Sequence, residues 1–154
     1  MSKIVRISFV AFLFFLFSTV AKAEISRYVS VGPYLDGGVG LSAGISILPP
    51  FVIIPAIDVG VDIDAVDDMR GAFLTAQIGY GIPSIYGYAE WGIGTMRGNF
   101  KNSEGVVERQ SDNAQKITFG AALGVYVLEI FYEHVRWYSF VDSSAHALGL
   151  RARF

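Results

Sequence analysis

The sequence predicts an all-β chain: a closed antiparallel transmembrane β-barrel of eight strands, following a cleaved signal peptide. Three observations predict it. The first is a short apolar segment behind a basic start, the mark of an exported chain. The second is hydropathy. Of the 154 residues 53% are hydrophobic, yet after Val20 no apolar run reaches the roughly 18 residues a helix needs to cross a bilayer. The third is alternation of apolar with small or polar residues along nearly all of the remaining chain. A barrel reconciles the last two, because its apolar residues are spread over alternate positions of every strand.

The basic start is Met1 to Arg6, with Lys3 and Arg6, and the apolar segment is Ile7 to Val20. Ala21-Lys22-Ala23 supplies the small-x-small pattern that signal peptidase accepts. Cleavage is therefore expected after Ala23, giving a signal peptide over 1–23 and a barrel over 24–154; an uncleaved signal anchor is the alternative. Without Lys3, Arg6 and Lys22 the chain keeps nine basic residues against 14 acidic ones, a net charge of −5. Nucleic-acid binding needs a basic face and is not expected. There is no cysteine, so an exported domain of this size must be held by its core, by oligomerisation or by lipid.

Strand by strand, the alternation runs as follows. Over about 28–35, Val29, Val31, Pro33 and Leu35 oppose Tyr28, Ser30, Gly32 and Tyr34. Over 38–48, Val39, Leu41, Ala43, Ile45 and Ile47 oppose glycines and serines. Over 56–64, Ile57, Val59, Val61 and Ile63 oppose Asp58, Gly60, Asp62 and Asp64. Over 71–81, Ala72, Leu74, Ala76, Ile78 and Tyr80 oppose Phe73, Thr75, Gln77 and Gly79. Over 85–96, Ala89, Trp91 and Ile93 oppose Tyr88, Glu90, Gly92 and Gly94. Over 115–126, Ile117, Phe119, Ala121, Leu123 and Val125 oppose Lys116, Thr118, Gly120, Ala122 and Gly124. Over 128–137, the least regular, Leu128, Ile130 and Tyr132 oppose Glu129, Phe131 and Glu133. Over 145–154, Leu148, Leu150, Ala152 and Phe154 oppose Ala147, Gly149, Arg151 and Arg153.

Eight such segments of about 8 to 12 residues suit a tilted crossing of a bilayer, and the even number closes a barrel with both ends on one side. A soluble sandwich or lipocalin-type barrel also alternates, but its second face meets water and should be rich in long charged side chains. Here that face is mostly Gly, Ser, Thr and Ala with a few charges, which suits a narrow lumen. On neighbouring strands, Glu129 and Glu133 are expected to meet Arg151 and Arg153 inside. The one long connection is 97–114, rich in charge. Two features fit badly: Pro33 inside the first strand, and the apolar turn over 48–55.

The last residues, His146-Ala147-Leu148-Gly149-Leu150-Arg151-Ala152-Arg153-Phe154, resemble the C-terminal signature of bacterial outer-membrane barrels. Tyr86 to Gly94 (YGYAEWGIG) and Gly120 to Glu133 (GAALGVYVLEIFYE) look like strand–turn–strand segments of small eight-stranded members, the opacity and attachment-invasion type. The resemblance implies the outer membrane of a double-membrane bacterium, contact with its lipid and lipopolysaccharide, and reading of the terminal strand and Phe154 by the barrel assembly machinery. It also raises a lipid A deacylase, since such enzymes carry a His-x-Ser pair on a late strand. The matching stretch reads His134-Val135-Arg136, with Arg136 where the serine belongs and Ser139 at the wrong spacing. His134 is instead expected in an interfacial belt with Trp137 and Tyr138.

Asp62, Asp64, Asp67 and Asp68 gather around the second outer loop. Such carboxylates can hold Ca²⁺ or Mg²⁺, but the glycine and distal glutamate of a calcium loop are lacking, and a solvated acidic loop is expected. Gly92 and Gly94 make no phosphate loop, since no helix follows them. His146 has no second histidine in its strand. No catalytic, cofactor-binding or metal-binding residue is predicted. The expected role is structural or surface interaction, with binding at the 97–114 loop. The alternatives are a deacylase-like enzyme and a narrow pore, the latter disfavoured by interior charge in a small barrel.

Overall fold

A computed structural model of the chain describes residues 24–48, 56–82, 84–101, 107–125, 127–139 and 142–154. The signal-peptide segment 1–23 and most of the apolar 48–55 turn lie outside the described residues. Eight strands follow one another: β1 Glu24–Pro33, β2 Val39–Leu48, β3 Ile57–Val66, β4 Met69–Ile82, β5 Ile85–Lys101, β6 Val107–Val125, β7 Leu128–Tyr138 and β8 Ser143–Arg153. Each pairs antiparallel with the next, and β8 returns to β1, so the sheet closes on itself. Closure runs through Tyr28↔Arg153 to Val31↔Leu150. Beyond it, Arg27 and Phe154 exchange both backbone hydrogen bonds, at 2.7 and 2.9 Å. No edge is left open between them, as a backbone in lipid requires.

The predicted faces are the observed ones. Leu41, Val59 and Leu123 are 48–57% exposed on the outside, whereas Ser46 and Thr118 on the inside are fully buried. Large apolar side chains are exposed on the outer face of every strand. Inside, aromatic rings lie against glycines. A Cβ on Gly60 would come within 2.3 Å of the Tyr28 hydroxyl, and one on Gly120 within 2.4 Å of the Tyr88 ring. The small inner residues are thus seats for rings that fill the lumen.

Pro33 is accommodated by a gap in one ladder. The β1–β8 pairing stops at Val31↔Leu150 and resumes only as a bridge from Tyr34 to Ala147. Tyr34 donates its N–H toward β2, to Gly38, so alternation points the missing Pro33 donor toward β8, into that gap. At the following turn, Gly37 and Gly38 have φ near +105°. A Cβ on Gly38 would also lie 2.1 Å from the Ala65 carbonyl oxygen, so this turn requires glycine.

The 97–114 segment departs from expectation. Most of it is a two-stranded ribbon extending β5 and β6, with Arg97↔Ser111, Asn99↔Arg109 and Lys101↔Val107 in register. Beyond the apolar belt both faces of a ribbon meet water. The alternation of hydropathy then disappears while backbone pairing continues, which is why composition reads it as a loop. Residues 102–106 lie outside the described residues.

Candidate functional site

Inner-face positions converge on one polar network. Lys116, on β6, puts its ammonium 2.5 Å from Asp62, 3.3 Å from Asp64 and 3.5 Å from Glu90. Asp64 also accepts from the Tyr34 phenol at 2.7 Å and from the Trp137 indole N–H at 2.9 Å. Glu90 accepts from Thr118 at 3.1 Å. Toward the end where the chain termini lie, Arg153 reaches Glu129 at 2.8 Å and Asp58 at 3.0 Å. Arg151 lies between Asp58, Glu129 and Glu133 at 3.5 to 3.8 Å and donates to the Gln77 carbonyl at 3.1 Å. Tyr86 and Tyr88 donate to Glu129 and Glu133.

Three cations therefore serve six carboxylates, and hydroxyl, indole and amide donors make up the difference. Charges removed from water must be paired and hydrogen-bonded to be tolerated. Each of the three cations is paired, while the Nε atoms of Arg151 and Arg153 are buried without a hydrogen-bond partner among the described residues. Above it, Val66, Phe73, Met96, Val135 and Trp137 form an apolar cluster toward the end that carries the extended β5–β6 hairpin, opposite the chain termini and called the hairpin end below. The cavity left beside Lys116, Glu90 and Asp62 measures about 20 Å³, roughly the room one water needs.

The expected meeting of Glu129 and Glu133 with Arg151 and Arg153 is observed, and Glu129 and Arg151 are direct register partners. Two other expectations need correction. Asp62 and Asp64 do not join Asp67 and Asp68 in a loop. They sit on β3, 3% and 2% exposed inside the barrel, while Asp67 and Asp68 form the exposed β3–β4 turn. Trp137 is not in an outer belt; it is 1% exposed and points inward to Asp64. His146 has no second histidine in its strand, as expected, but His134 stands beside it across the ladder as its register partner.

The two imidazoles lie on the outward face with centroids 4.6 Å apart. The Tyr132 hydroxyl is 2.8 Å from His146 Nδ1. Arg136 stands opposite Ser144 and stacks its guanidinium on Tyr138 at 5.3 Å. Among the described residues, the hydroxyl bonded to either histidine is the Tyr132 phenol, not a serine. Tyr34 and Tyr86 are network members to which sequence reasoning gave no polar role. Their inward parity was the available signal.

No protein-family model and no curated protein matches the sequence. Solved structures match the fold. The N-terminal β-barrel domain of Pseudomonas aeruginosa OprF aligns with a TM-score of 0.59 at 16% identity, over 84% of this chain and 96% of that one. Neisserial surface protein A (NspA) aligns with a TM-score of 0.53 at 10% identity, over 86% of this chain and 96% of that one. The fold is that of the eight-stranded outer-membrane β-barrels.

Proposed function

We propose that this protein is a sealed barrel of the bacterial outer membrane, with a structural and surface-displaying role, and that it neither conducts nor catalyses. The observation that carries this reading is the pairing of an apolar exterior on every strand with a lumen filled by buried ion pairs. An outside this apolar is untenable in water and natural in lipid. Buried ion pairs and rings packed around a cavity of about 20 Å³ beside Lys116 support a plug over the narrow pore. The extended β5–β6 ribbon supports an extracellular display element, because longer outer and shorter inner connections are the rule in such barrels. The C-terminal signature and the Tyr86 to Gly94 and Gly120 to Glu133 segments favour the opacity and attachment-invasion type.

Three measurements test it. Purified protein in planar bilayers should show no single-channel steps; a steady ohmic conductance would restore the pore. An epitope inserted at Gly105 should be reached by antibody on intact cells, and one inserted at Val127 only after permeabilisation. The reverse pattern overturns the display reading. Lipid A from cells with and without the protein should have the same mass; an acyl-chain loss that depends on the protein would make it an enzyme.

A further inference from the structure

Three arginines gather on the outward face at the hairpin end. Arg70 of β4 stands directly opposite Arg97 of β5, and Arg109 of β6 stands opposite Asn99, two residues further along β5. All three are exposed. With Asn99 and Gly98 they line a recess of about 270 Å³, which Asp67 and Asp68 also border. Like charges directly opposite on one sheet face are destabilising, so this arrangement calls for an anion. The aspartates do not supply it: among the described residues no carboxylate is within 4.0 Å of these guanidinium groups.

Directly beneath, the same strands form an apolar groove of about 740 Å³. Leu74, Ile93, Thr95 and Ile117 line it, with Tyr138 at its side. In the ladder, Arg70↔Arg97 is followed by Ala72↔Thr95 and then by Leu74↔Ile93. The middle pair places only the small side chains of Ala72 and Thr95 between cations and groove. Four residues separate the arginines from the Leu74 rung, about 13 Å at the rise of a strand.

We propose that this composite is a binding site for a polyphosphorylated, acylated glycolipid of the outer leaflet. Its phosphates lie among Arg70, Arg97 and Arg109, and an acyl chain lies along Leu74, Ile93 and Ile117. Guanidinium groups match phosphate oxygens in paired hydrogen bonds. Three of them exceed what a single phosphodiester satisfies, which selects a headgroup with more than one phosphate. The apolar groove selects a lipid over a free anion. The proposal rests on the reading that the barrel is embedded with its hairpin end in the outer leaflet.

The test uses the whole barrel in zwitterionic detergent, titrated with bisphosphorylated lipid A and followed by native mass spectrometry. One lipid A should be retained per barrel. The triple variant Arg70→Gln, Arg97→Gln, Arg109→Gln should lose at least tenfold in affinity, and Leu74→Trp, which fills the groove, should weaken binding separately. Arg27→Gln, exposed on β1 at the opposite end of the barrel, should bind as the parent does. Equal retention by the triple variant, or equal binding of dephosphorylated lipid A or phosphatidylglycerol, overturns the site. Displacement of the lipid by inorganic phosphate at matched concentration overturns the lipid assignment. Insertion into vesicles is scored in parallel. A barrel that inserts but does not discriminate sinks only this site, and one that fails to insert sinks the embedded reading beneath it.

Discussion

Lys116 illustrates how single residues hold this molecule together. One ammonium group, 4% exposed, serves Asp62, Asp64 and Glu90. Removing one partner from a buried ion pair leaves charges without compensation and typically costs about 3 to 5 kcal/mol. Lys116→Met should therefore lower the urea midpoint for unfolding by about that equivalent, read from the folded fraction on unheated gels. Replacing the set is a different matter from breaking it. Adding Asp62→Asn to Lys116→Met should recover part of the loss, because one stranded carboxylate is gone. A double-mutant cycle that shows simple additivity would mean that Lys116 and Asp62 do not interact.

At the scale of a strand, facing decides the effect of a substitution. Val59 and Leu123 point outward and are more than half exposed. Val59→Arg or Leu123→Arg should cost about 2 to 4 kcal/mol near the bilayer midplane, and less in a micelle. Thr118 is fully buried and bonded to Glu90, so Thr118→Arg has no room and should cost as much in a micelle as in a bilayer. Refolding yields in both media separate the two cases; identical behaviour of both positions would contradict the assigned faces. The terminal strand carries a second prediction. Phe154 is 66% exposed on the outside, and its backbone closes the ladder with Arg27. We propose that the assembly machinery reads this residue. Its deletion should lower the yield of folded barrel in cells while export continues, and refolding of the purified variant in detergent should suffer less. Normal assembly in cells would reduce Phe154 to ordinary packing.

For the whole molecule, closure and network act together. Every strand is bonded on both edges, and Asp58 and Asp62 on β3 are tied across the lumen to Arg153 on β8 and Lys116 on β6. Such a barrel has no edge at which unfolding can begin. Unheated samples in dodecyl sulfate should run as a compact species and shift only on boiling. A single mobility, heated or not, would count against a closed barrel. Lys116→Met should lower the temperature of that shift, and Arg136→Gln, on the outer surface, should leave it in place.

Strand number, strand facing and the β7–β8 charge pairing were legible in the sequence, and the reason is local. A period of two assigns every side chain to one face, and consecutive strands of an antiparallel barrel are neighbours, so Glu129 and Arg151 were bound to meet. Other features were decided only by tertiary structure. Trp137 and Tyr34 meet Asp64 across the lumen, contacts set by barrel diameter and strand stagger, which no local pattern encodes. Polar residues between 97 and 114 form a ribbon because wetted strands lose the hydropathy alternation while keeping their hydrogen bonds. The arginines at 70, 97 and 109 look scattered along the chain. Register brings them onto one rim, because antiparallel pairing sets distant residues side by side.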